Sequence, residues 1–98
     1  MNDQSKKLSS EFIVAIEIYK FNISNEPLPF TKLVDKLDGK LSKNQVLDAL
    51  DILLDLGVVI AMYNSYQQGV TKGYTFLFEI DENHKDGIRN LYNNIRVI

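Results

Sequence analysis

The stretch 41–59 allows the chain few folds. Ser42 is followed three residues on by Gln45, a pairing that caps a helix start, and Val46, Leu47, Leu50, Leu53 and Leu54 then share one helical face. Gly57 closes the run, and Val58, Val59 and Ile60 follow at once with the β-branched character of a strand. A helix with so apolar a stripe must bury it against other helices. A chain that turns directly from helix to strand needs a left-handed residue at the junction, which glycine adopts without steric cost. A helical layer joined to a small sheet is the economical solution.

The flanking segments agree with it. Between 10 and 21, Phe12, Ile13, Ala15, Ile16, Ile18 and Tyr19 recur at helical spacing behind a capping Ser9 or Ser10. Pro27 and Pro29 stop this helix and hold the connection extended, after which Thr31 is placed to cap a short helix that turns Leu33, Val34 and Leu37 inward. Asp38-Gly39-Lys40 is a turn signal leading to Ser42. Beyond Gly57, the apolar runs 58–63 and 74–80 predict an antiparallel hairpin with a long polar tip, and Ile60, Phe76 and Phe78 are candidates to close the core. From Asn83 onward Ile88, Leu91, Tyr92 and Ile95 fall three or four apart and predict a fourth helix. The expected fold class is mainly α with a small antiparallel β-hairpin, that is α+β: a three-helix core, a hairpin and a C-terminal helix.

Length limits the rest. Ninety-eight residues make one domain, 1–98, with no repeat and no linker beyond the 25–29 break. A core this small gains from a second chain, and Ile88, Leu91, Tyr92, Ile95 and Ile98 are the candidate dimer interface. The chain has no cysteine, which excludes disulfides, thiolate metal sites and thiol nucleophiles and suits a reducing cytoplasm. The polar start and the lack of a long apolar run predict neither signal peptide nor membrane anchor. In a cytoplasmic protein the Asn22-Ile23-Ser24 sequon has no role.

Helix, short helix, turn, helix and two-stranded hairpin is the order of a winged helix-turn-helix domain. The run from Leu41 to Val59, with its polar helix start, leucine stripe and Leu53-to-Gly57 ending before an apolar strand, resembles the third helix and first wing strand of small prokaryotic regulators of the MarR and PadR kind. The resemblance spans about residues 10–80, leaving 83–98 as a terminal helix. It implies a homodimeric transcriptional regulator that binds duplex DNA, with the third helix in the major groove and the wing on the backbone.

On that footing the candidate DNA-binding residues are Thr31, Lys32, Lys40, Ser42, Lys43, Asn44, Gln45 and Asp48, with Tyr66, Gln67, Gln68 and Lys72 at the wing. Asp48 is placed to accept from a cytosine amino group. Lys32, Lys36, Lys40 and Lys43 outnumber Asp35 and Asp38 and form a modest cationic edge. Asp48, Asp51 and Asp55, however, line the side of helix three opposite its leucines, where the resembling families commonly carry a basic or neutral residue near Asp48. An acidic outer face repels phosphate, so a protein-interaction module without DNA binding is the alternative.

No catalytic constellation can be assembled, so no enzyme is expected. His84 stands alone, without a second ligand for a metal, and Asp81-Glu82 suits the start of a helix electrostatically. The segment 69–73 lacks the spacing and following helix of a phosphate-binding loop. No cofactor or metal is expected.

Overall fold

The computed structural model describes residues 9–24, 26–68 and 71–96, and for 63–68, 71–75 and 95–96 it describes the backbone alone. Helix α1 spans Ser10–Asn22 and is capped by Ser9, whose hydroxyl accepts from the Phe12 N–H at 3.1 Å. Strand β1, Leu28–Pro29, leads straight into α2, Phe30–Lys36. Helix α3 spans Lys43–Asp55, strands β2 and β3 span Val59–Gln68 and Thr71–Ile80, and a 3-10 turn, Glu82–His84, precedes α4, Lys85–Arg96. The fold is therefore α+β: among the described residues, four α-helices with a three-stranded antiparallel sheet in the order β1-β3-β2.

The core lies between the helices and one face of that sheet. Val14, Ala15 and Ile18 of α1 meet Leu33 and Leu37 near α2, Val46, Ala49, Leu50 and Leu53 of α3, and Val59, Phe78 and Ile80 of the strands. Glu17 is buried on α1, 3.6 Å from the Lys20 ammonium. Strand register explains which apolar residues reach the core. Val59 pairs with Ile80 and Ala61 with Phe78, so these side chains share the inner face, whereas Ile60 pairs with Glu79 and lies on the other. Ile60 consequently does not close the core. Phe76 has the right parity but sits one step farther along the hairpin and stays 51% exposed.

Three further expectations change. Pro29, not Thr31, occupies the N-cap of α2, without a side-chain bond. The strand β1 was invisible to hydropathy because it is two residues long and contains a proline; it is an edge strand, where a missing N–H is tolerated, pairing Leu28 with Phe78 and Pro29 with Leu77. The expected long hairpin tip is strand as far as the pair Gln68 and Thr71, so Tyr66, Gln67, Gln68 and Lys72 occupy ladder positions; Gly69 and Val70 lie outside the described residues.

Two glycines adopt the left-handed backbone that the sequence asks for, Gly39 with φ 89° and Gly57 with φ 77°. After Gly57 the Val58 N–H donates to Leu53 O at 3.0 Å, and the Asp81 N–H donates to Val58 O at 2.8 Å, closing the base of the hairpin.

Candidate functional site

Helix α3 presents its first turn as a pre-formed unit. The Ser42 hydroxyl accepts from the Gln45 N–H at 3.1 Å while Gln45 Oε1 accepts from the Ser42 N–H at 2.8 Å, the reciprocal box expected from the sequence. The Gln45 amide nitrogen remains available to a ligand, beside exposed Lys43 and Asn44. Lys40 sits in the preceding turn, where its N–H donates to Leu37 O at 2.9 Å. Thr31 is brought beside Lys43, the two lining a 150 Å³ depression with Phe30, Val34 and Asp35. Lys32 is drawn elsewhere: it and Lys36 both stand 5.6 Å over the Phe21 ring, one turn apart on α2.

The outward face of α3 is acidic. With Val46, Ala49, Leu50 and Leu53 buried, the opposite side holds Asn44, Asp48, Asp51 and Asp55, all exposed, and the three carboxylates make no ion pair among the described residues. Leu47 does not join the buried stripe. It is 40% exposed and lines a groove of about 460 Å³ between α3 and the hairpin, with Leu50, Leu54, Ala61, Phe76, Phe78 and Phe30. The Phe30 and Phe78 rings meet edge to face at its end, 6.4 Å between centroids, and Lys43 and Asp51 are its charged lining residues. The leucine stripe assigns Leu47 and Leu54 to the core; Leu54 packs against it while also lining the groove, and only Leu47 is left by the hairpin as exposed groove wall.

Of the residues expected at a dimer interface, two face their own chain. Ile88 is buried in the core and Tyr92 packs with its ring 5.7 Å from that of Tyr19, because α4 lies back against α1. Leu91 is 45% exposed. The Ile95 side chain and Ile98 lie outside what is described.

Between α1 and α4 a smaller 210 Å³ depression is lined by Tyr19, Asn22, Ile23, Ile80, Lys85 and Arg89. Its cations are balanced locally, Lys85 by Glu82 at 3.4 Å and Arg89 by Asp86 at 3.0 Å. A hydrogen bond from Arg89 to Tyr19 is the main reason its guanidinium holds its proton even more firmly than usual, with Asp86 adding to the effect. His84 Nδ1 lies 3.3 Å from Asp81 Oδ2, whose carboxylate also accepts from the Asn83 N–H and so caps the 3-10 turn. Among the described residues no group of three or more histidines or acids could hold a metal ion, and no helix is long and apolar enough to cross a membrane. No protein family, no curated protein and no solved structure matches the chain.

Proposed function

We propose that the chain is a winged-helix domain that binds duplex DNA as a homodimer, in the manner of a small transcriptional regulator. One observation carries this reading: the element order α1-β1-α2-α3-β2-β3 with the sheet order β1-β3-β2, which sets a capped third helix beside a long hairpin. Fold does not dictate function, so the residues must supply the contacts. Lys40 and Lys43 flank the entry to α3 and neutralise phosphates. Ser42, Asn44 and Gln45 offer hydrogen bonds to phosphates and base edges, with Asp48 accepting from a cytosine amino group. Asp55 lies twelve residues beyond Lys43, about 18 Å along the helix axis, and so stays clear of the backbone when only the first turn enters the groove. Thr31, beside Lys43, meets the flanking phosphates, and the hairpin carries Tyr66, Gln67, Gln68 and Lys72 toward the next groove.

Fluorescence anisotropy with mixed-sequence duplex tests this. Affinity in the micromolar range or tighter that falls steeply with salt is expected, and Lys40→Glu with Lys43→Glu should lower it about tenfold or more and flatten the log-log salt slope by about two. Absence of binding at low salt, or indifference to both substitutions, refutes the assignment.

The unpaired carboxylates on the outer face of α3 favour a second reading, a protein-interaction module with a basic partner. Asp48→Asn with Asp51→Asn separates the two. Under the DNA reading neutralisation raises duplex affinity; under the protein reading it releases the partner.

A further inference from the structure

Turning around α3, three stripes follow one another. Val46, Ala49, Leu50 and Leu53 face the core. Leu47 and Leu54 come next and line the groove with Leu50. Asp48, Asp51 and Asp55 stand exposed immediately beyond, with Asp51 among the groove's own lining residues. An apolar stripe and an acidic one therefore run side by side along about 12 Å of the same helix. The three carboxylates make no ion pair among the described residues, and like charges one turn apart weakly destabilise the helix that carries them unless a cation meets them.

An occupant must match both stripes. A compact small molecule fills the apolar stripe without reaching the row of carboxylates. An extended strand repeats its same-face side chains about every 6.7 Å, against about 5.4 Å per turn of α3, and falls about 2–3 Å out of step over two repeats. A second helix laid along the groove keeps the same pitch. Its apolar anchors at i, i+4 and i+7 enter against Leu47, Leu54 and Phe76, while lysine or arginine on the adjoining stripe meets the aspartates. Lys43, at the start of α3, lines the other end and favours the partner's C terminus, where the carbonyl dipoles converge, so the two helices run antiparallel.

We propose that the groove between α3 and the hairpin docks a short amphipathic helix of another protein, apolar along one stripe and basic along the next. This rests on the protein-interaction reading above and asks nothing of DNA. The carboxylates attract the partner and the leucines select it, because burial of an apolar face is what distinguishes an amphipathic helix from any other basic segment.

The test uses the whole chain and a labelled peptide of about 15 leucines and lysines with leucine every three or four residues. The control has the same composition scrambled so that the leucines share no face. At about 0.15 M salt, anisotropy should show saturable 1:1 binding at least tenfold tighter than the control, with a gain in helical circular dichroism on mixing. Leu47→Glu should weaken it tenfold or more, and so should Ala61→Leu, which fills the groove from an exposed position of β2. Asp48→Asn with Asp51→Asn should weaken it about fivefold and flatten its salt dependence. Unchanged thermal midpoints show that the variants still fold. Equal affinity for peptide and control, or no saturable binding, overturns the proposal. So does self-association that Leu47→Glu and Ala61→Leu both abolish, since a second copy then fills the groove. Binding that the aspartate variant loses and both groove variants keep removes the groove and leaves the basic-partner reading standing.

Discussion

The Asn22 side chain joins three segments at the end of α1. Its Nδ2 donates to Glu26 O at 2.8 Å and to Phe78 O at 3.3 Å, and its Oδ1 accepts from the Ile80 N–H at 2.9 Å. Both of its amide hydrogens and one lone pair of Oδ1 are therefore engaged, and the strand that carries Phe78 and Ile80 into the core is tied to the helix that packs on it. Asn22→Ala removes the partners of a part-buried backbone N–H and a part-buried carbonyl, the Glu26 carbonyl being open to water, and a loss of about 1–2 kcal/mol is expected in urea denaturation. A loss below about 0.5 kcal/mol would mean that water replaces the amide. Nothing in the local sequence marks this role: Asn22 reads as part of a glycosylation sequon, and its strand partners stand 56 and 58 residues away. Ser42 is the opposite case, visible in advance because its partner is three residues distant.

Helix ends show how far local chemistry carries. Gly57 and Gly87 both have open space around an added Cβ, so substitution tests the backbone rather than packing. At Gly57, where φ is 77°, alanine must adopt the left-handed region, and Gly57→Ala should destabilise by about 1 kcal/mol or more. Gly87 lies within the first turn of α4 with ordinary φ, and Gly87→Ala should stabilise by about 0.5 kcal/mol through helix propensity. Opposite shifts in the thermal midpoint confirm the pair; equal shifts refute the argument. The leucine stripe of α3 was only partly informative in the same sense. Periodicity identifies a helical face, and the buried set Val46, Ala49, Leu50 and Leu53 lies on it, but Leu47 belongs to its margin. Whether a margin is covered depends on a neighbour that periodicity does not place.

For the whole molecule, the packing of α4 against α1 decides what is left for a second chain. Ile88 and Tyr92 are engaged with their own core, so a homodimer through this helix must use Leu91 and the residues around it. Sedimentation should show a dimer that Leu91→Glu shifts toward monomer with little change in thermal midpoint, because an exposed leucine contributes little to its own fold. A wild-type monomer at tens of micromolar would remove the homodimer, and with it the expectation of a palindromic site with half-sites one helical turn apart.

Sequence alone determined the elements whose causes are local: the capped starts of α1 and α3, the left-handed Gly39 and Gly57, the β-branched strands, and a cationic entry followed by an acidic face on α3. These follow from interactions within a few residues, which spacing and residue type express directly. Tertiary structure decided the third strand, the anchoring of Asn22, the inward packing of Ile88 and Tyr92, and the conversion of leucine and phenylalanine from core into groove. Each depends on strand register or helix placement between residues far apart in the chain, and a one-residue change of register exchanges the two faces of a strand while leaving its composition untouched.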